Sequence, residues 1–305
     1  AISIPTEDNE MVVHSSTQNP TEVQHLVAHV LDVPQNAIEV VTRRMGGGFG
    51  GKETDSSQLA CICAIFSKRT QQPVKARLSR KDDILLTGKR HDFVANYEVG
   101  YNDEGLIQGI EIDLAARCGY SLDLSKAIVS RALFHADNTY FIPNATFKGF
   151  LCKTNTASNT AFRGFGGPQG MLTIENIIEE IANNMGTDPL NIRQVNYYQK
   201  ESNNVTPYDQ VIEDNIIEEI TNELIEDSNY LSRRKEVDSF NKENQFVKKG
   251  LSFSPVKFGI SFTTQLLNQA GALVSIYKDG SIYINHGGTE MGQGLFIKVA
   301  QVVAN

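Results

Sequence analysis

Three stretches of bare backbone, each leading into a helical pattern, constrain this 305-residue chain more than any other feature. The first, Arg43 to Glu53, sets Gly46, Gly47, Gly48, Gly50 and Gly51 between a strand-like run (Ala37 to Thr42) and a helical one (Thr54 to Lys68). That helix carries Leu59, Ile62 and Cys63 on its expected inner side. The second stretch, Ser158 to Pro168, opens the clearest amphipathic helix, and the third is His286 to Gly294. Without Cβ atoms, main-chain N–H groups can close on an anion or a flat cofactor, and a helix N-terminus adds partial positive charge. Tight strand-to-helix packing accounts for one such loop; three point to several helix N-termini converging on one anionic ligand. Phe49, Phe165 and Gln293, one in each loop, suit a flat ligand with a polar edge.

Two nucleotide motifs overlap in the first loop, and each is incomplete. Gly46-x-Gly48-x-x-Gly51 satisfies the dinucleotide fingerprint, which also wants an acid about 20 residues on for the ribose. Lys68-Arg69-Thr70-Gln71-Gln72 stands there instead. Gly46-x-x-x-x-Gly51-Lys52 nearly forms a P-loop, but Glu53 replaces the Ser or Thr that would hold magnesium, and its charge opposes a phosphate. The loop therefore reads as an anion or cofactor site, with a nucleotide-binding module free of redox chemistry as a rival.

A net charge of −8 and a pI near 5.3 argue against general nucleic-acid or membrane-surface binding. No apolar run approaches the roughly 20 residues that span a bilayer, and no charged and apolar leader opens the chain, so a cytoplasmic location is expected. Cys61, Cys63, Cys118 and Cys152 have neither C-x-x-C pairing nor histidines at zinc spacing. They read as buried reduced thiols and build no iron–sulfur cluster. Ala1 begins in strand-like sequence and Asn305 ends inside a helical pattern, so the chain is expected to be a piece of something longer, truncated at both ends.

The remaining pattern is α+β, mixed sheets with packed helices. Met11 to Ser15 reads as a strand, and Pro20 opens a helix with Val23, Leu26, Val27, Val30 and Leu31 at helical spacing. Pro73 to Leu78 is a strand, and Phe93 to Tyr101 with Leu106 to Ala115 a hairpin. Leu122 to Phe134 is helical, with Arg131 near its end. Met171, Ile174, Ile177, Ile178, Ile181 and Met185 stripe the next helix, which Pro168 opens and Gly186 closes. From Asp188 to about Phe246 the chain reads as helical and charged, with Arg233 to Glu236 as a solvated face. Lys249 to Thr264 returns to strand, and Gly271 to Asn285 forms a hairpin around Asp279-Gly280.

Five motifs carry a family resemblance: RMGGGFGGKE (Arg44 to Glu53), SRALFHADN (Ser130 to Asn138), KTNTASNTAFRGFGGPQG (Lys153 to Gly170), KFGISFT (Lys257 to Thr263) and NHGGTEMGQG (Asn285 to Gly294). In that order they resemble the molybdenum-binding region of the xanthine dehydrogenase/oxidase family of molybdenum hydroxylases, and the similarity runs through essentially the whole chain. The resemblance implies most of a first molybdopterin-binding domain over 1–205 and the N-terminal part of a second over 206–305. It implies a molybdenum held by a molybdopterin and hydroxylation of a purine (hypoxanthine to xanthine to urate) with oxygen from water. On this analogy Gln18 hydrogen-bonds a molybdenum oxo group, Phe49 and Arg163 line the metal site through their backbones, Gly50 binds the cofactor, and Met291, Gly292 and Gln293 hold the pterin. Phe165 and Phe262 sandwich the purine, while Glu53, Arg131 and Thr263 meet its polar edge.

Those roles have a physical basis. Stacking on a phenyl face adds about 0.5–1.5 kcal/mol beyond area, and an arginine in a dry pocket stabilises charge developing in the ring. Glu53 can exchange a proton with a ring nitrogen if burial raises its pKa. Taken without the resemblance, Arg131 is a helix C-terminal cation and Glu53 a helix N-terminal acid. Both residues favour a purine over the aldehydes of related aldehyde oxidases, which remain the alternative. In the family the general-base glutamate lies toward the C-terminus, beyond Asn305. The 2Fe–2S clusters and FAD lie in other parts of a dimeric enzyme. The chain alone is therefore expected to be catalytically silent.

Overall fold

Strand β2 (Met11–His14) buries Met11 and Val13 and turns Val12 and His14 outward, and sits inside a four-stranded sheet, antiparallel to β1 (Ile2–Pro5) and parallel to β3 (Ile38–Val41). The computed structural model, which describes residues 1–305, adds the short β4 (Val74–Lys75) on the far edge of β1. A parallel β2–β3 pair needs a crossover, and α1 (Pro20–Leu31) supplies it, capped by Asn19, whose side chain accepts from the Glu22 N–H. Val23, Val27, Ala28 and Leu31 of α1 join Met11, Val13 and Ile38 in one core.

Helix α2 (Asp55–Thr70) packs on the same sheet, but of the side expected only Cys63 is buried. Its buried residues are Ser57, Ala60, Cys63, Ala64 and Ser67, while Leu59 is half-buried and Ile62 is 49% exposed. Small side chains let the helix lie close to β1 and α1, so the larger apolar groups fall outside. A short helix, α3 (Arg80–Leu86), follows.

The second sheet is a long antiparallel pair, β5 (Phe93–Tyr101) and β6 (Ile107–Gly119), with β7 (Ala145–Lys153) parallel to β6. Helix α4 (Ser125–Phe134) makes that crossover, and α5 (Gly167–Met185) lays Ile174, Ile177, Ile178 and Ile181 into the largest core. Helix α6 (Pro189–Asn196) is capped by Asp188, whose carboxylate accepts from the Leu190 N–H. The chain is irregular from there to α7 (Ile217–Asp227) and α8 (Tyr230–Glu243), which breaks up the continuous helical reading of 188–246. A hairpin of β8 (Ala272–Ile276) and β9 (Ile282–His286) leads into α9 (Leu295–Ala304). The architecture is α+β, with mixed sheets and packed helices. Cys61 and Cys152 are half-buried, Cys63 and Cys118 buried, and all four are free thiols. No helix is long and apolar enough to cross a membrane.

The stretch Lys249 to Thr264, expected as a strand, pairs with no strand. Its main-chain groups find side chains instead: Lys257 N–H donates to Asn138 at 3.0 Å, Gly259 N–H to His135 at 3.0 Å, and the Asn138 amide donates to the Pro255 carbonyl at 2.9 Å. An alternating sequence satisfied in this way keeps an extended path without a ladder.

Candidate functional site

The three glycine loops meet. A cavity of about 580 Å³ is lined by Gln18 from the turn before α1, Gly48 to Gly50 and Glu53 from the first loop, Ala161 to Phe165 from the second, and Met291 to Gln293 from the third. That volume lies in the range of small-ligand sites. The first two loops are joined main chain to main chain: Gly51 N–H donates to the Ala161 carbonyl at 2.8 Å and Arg163 N–H to the Phe49 carbonyl at 2.9 Å. Gly50 lies between these bonds at φ +94°, and a Cβ there would sit 2.3 Å from the Ala161 oxygen, so the close approach requires glycine. The third loop docks through Thr289, whose hydroxyl donates to the Gln18 carbonyl at 3.2 Å.

Lys52 organises the first loop from behind. Its ammonium donates to the Ser16 hydroxyl and the Met45 and Gly47 carbonyls, each at 3.0 Å. An ammonium has three N–H donors, and all three are engaged here. The lysine that a P-loop would offer to phosphate is therefore turned to the loop itself.

The polar edge of the cavity fits a molybdopterin on this chain's own geometry. The N–H groups of Gly48, Phe49, Gly50, Gly164 and Gln293 make no hydrogen bond within the protein. The Gln18 amide donates at 3.1 Å to the sulfur of Met291, a weak acceptor that an oxygen would displace. Gly292 lines the cavity at φ +109° with nothing within 4 Å of the position its Cβ would take. Met291 N–H and Gly292 N–H, by contrast, are already held by the side chains of Gln293 (2.6 Å) and Glu290 (2.7 Å). Arg163 has both main-chain groups engaged, its carbonyl accepting from Arg90 at 2.6 Å, and its side chain is exposed.

Of the residues expected to face substrate, Glu53 and Phe165 line the cavity. Burial raises the Glu53 pKa above the usual carboxylate value, and the charges of Asp123 and Glu22 push it further the same way. Phe165 holds φ +51°, a left-handed backbone that costs a non-glycine residue about 1 kcal/mol or more. Phe262 touches it, ring centroids 5.9 Å apart and planes at 48°. A flat heterocycle gripped on both faces needs parallel rings about 7 Å apart, so these rings rest on each other and leave no slot. Arg131 is buried behind Phe165, its guanidinium carbon 5.8 Å from that ring, and it donates to the Gly259 and Ser261 carbonyls. Arg131, Phe262 and half-buried Thr263 do not line the cavity. Sequence reasoning missed Phe162 and the Lys52 clamp; only the lysine's place directly after the glycines hinted at the latter.

Residues 1–197 match the family described as molybdopterin cofactor-binding domain, and residues 223–305 match a second family of the same description. The chain is 49% identical over 301 residues to a xanthine dehydrogenase of Dictyostelium discoideum, covering 99% of this chain and 22% of that protein. It is 46% identical over 307 residues to a nicotinate hydroxylase of Emericella nidulans, covering 100% of this chain and 23% of that protein. It thus spans about a fifth of the length of these relatives. Among solved structures, reconstituted CO dehydrogenase from Oligotropha carboxidovorans superposes with a TM-score of 0.84 at 20% identity, over 99% of this chain and 40% of that one, which shows a shared fold.

Proposed function

The chain belongs to the molybdopterin cofactor-binding domain family of the molybdenum hydroxylases, and from that premise we propose that it builds the substrate side of a molybdenum site hydroxylating purines such as hypoxanthine and xanthine. The observation that carries this reading is a half-buried carboxyl, Glu53, set in the same cavity as the free N–H groups of the glycine loops. When bound, the molybdenum–pterin group supplies the redox centre that takes up two electrons as a water-derived oxygen joins a ring carbon.

This chain's residues do the rest. Gln18 and the bare amides of Gly48 to Gly50 orient the group, with Met291 to Gln293 closing over the pterin. Glu53, kept protonated more readily by burial, donates to or exchanges a proton with a ring nitrogen. Phe165 lines the cavity and offers a face for stacking, and Phe262 packs against that ring. Arg131 adds positive charge from behind Phe165, and Thr263 meets the polar edge of the ring. In this reading residues 1–205 form most of one cofactor domain and 206–305 the start of the second, within a dimeric, cytoplasmic enzyme whose 2Fe–2S clusters and FAD lie elsewhere.

A second reading, a carboxylated pyridine as substrate, is favoured by the nicotinate hydroxylase relative. The test is Glu53→Gln in the full-length enzyme, assayed with hypoxanthine, nicotinate and an uncharged aldehyde. We expect kcat/KM to fall about 100-fold for hypoxanthine, the effect of removing one positioned proton-transfer group, and less than about tenfold for the aldehyde. Equal losses, or turnover of nicotinate alone, would overturn the purine assignment.

A further inference from the structure

Three side chains at the end of α4 and in the turn after it hold the extended strip 255–261. The Asn138 carbonyl oxygen accepts from Lys257 N–H and its amide donates to the Pro255 carbonyl. The His135 Nε2 accepts from Gly259 N–H at 3.0 Å, and Arg131 donates to the carbonyls of Gly259 and Ser261. Phe262 and Thr263 follow immediately. A main-chain N–H can only donate, so Nε2 presents its lone pair and the ring proton lies on Nδ1, which donates to the Arg131 carbonyl at 2.8 Å. One tautomer of the neutral ring satisfies both ends.

We propose that His135 is a positioning residue for the substrate side of this site: by fixing Gly259 it sets where Phe262 and Thr263 stand relative to Phe165. The ring is 4% exposed and packed against Phe258, centroids 4.9 Å apart. The charged groups that act on it are Arg131 from α4 and Lys257 from the strip, the latter itself paired with Asp137, and Gly167 at the start of α5 lies beside the ring. Burial first, then Arg131 and Lys257, lower the imidazole pKa. Protonation would point a second N–H at the Gly259 N–H, and the strip would come free.

The inference rests on Phe262 and Thr263 facing substrate, so the experiment has one arm that needs no substrate. Hydrogen–deuterium exchange is followed in peptides spanning 255–264 of the full-length holoenzyme from about pH 7.5 down to well below an ordinary histidine pKa, because burial lowers that of His135. After correction for intrinsic rates, the parent should exchange at least tenfold faster at the acid end in this strip. His135→Gln keeps an acceptor near Nε2 without titrating and should stay protected at both ends; His135→Phe should be open at both. In the second arm, KM for hypoxanthine should rise at acid pH in the parent, with kcat changed far less, and should stay flatter in His135→Gln. Parent-like pH dependence of exchange in His135→Gln, or full protection in His135→Phe, overturns the latch whatever the substrate is. Exchange that behaves as expected while KM ignores it overturns the positioning role.

Discussion

Replacing Gly50 by alanine should separate the two loops that wall the cavity. The residue holds φ +94°, and the new Cβ would lie 2.3 Å from both the Ala161 oxygen and the Phe162 Cα. Both are main-chain atoms, and ordinary contact needs about 3.5 Å, so the loops must part by roughly 1 Å. That breaks the flanking bonds, Gly51 N–H to the Ala161 carbonyl and Arg163 N–H to the Phe49 carbonyl, at about 1 kcal/mol each. The left-handed backbone adds about 1 kcal/mol. The expected destabilisation is therefore about 3–4 kcal/mol. Gly46→Ala provides the control, since Gly46 is also left-handed (φ +77°) but has open space where its Cβ would go; only the backbone strain of about 1 kcal/mol applies. Urea denaturation of both variants, with molybdenum content of the full-length enzyme measured alongside, checks the difference. Midpoints that place the two variants within about 0.5 kcal/mol of each other would refute the close-approach argument.

The other predictions concern charge. Because Glu53 has its pKa raised in the folded protein, the native state holds the proton more tightly than the unfolded chain. Its stabilising effect is complete below the unfolded value near 4.5 and disappears as pH rises through the folded one. Glu53→Gln should accordingly flatten the loss of stability above pH 4.5, and denaturation profiles with unchanged slope would count against the burial. Arg193, 2% exposed, donates to Glu175 at 2.9 and 3.0 Å and to Glu179 at 2.8 Å. Arg193→Met should destabilise by about 3–5 kcal/mol by stranding the Glu175 carboxylate, with part recovered on adding Glu175→Gln; a loss under about 1 kcal/mol argues that water reaches the pair. Lys52→Met should loosen the first loop by about 2 kcal/mol, read as faster exchange of the bonded Gly51 amide, and leave nucleotide affinity untouched. Tight ATP or NAD binding abolished by that change would restore the phosphate-cradle reading.

The loops were legible because their chemistry is local. Glycine runs that follow strands and precede helices mark a bare backbone, and the stripe of Ile174, Ile177, Ile178 and Ile181 marks a core helix, whatever the tertiary context. What sequence could not give was set by partners far along the chain. Strand β7 has an irregular pattern because its register comes from β6, through pairs such as Ile112 with Phe147. The inner face of α2 was misread because period alone does not say that a close-packed helix selects its small side chains. Strip 255–261 alternates as a strand should, yet its partners lie about 120 residues away and are side chains. The meeting of Phe165 and Phe262 likewise depends on that strip, so their ring contact was not legible residue by residue.

The strip held by Arg131, His135 and Asn138 is fastened by unlike parts. Only Arg131 stands on the helix; His135 caps its end and Asn138 lies in the turn beyond. Their reach therefore ends where the turn ends, and the seam meets the strip at Pro255, Lys257, Gly259 and Ser261 through side chains of three different kinds. A seam made of such unlike holders has no repeat to copy, so it offers no template along which a further strand could add.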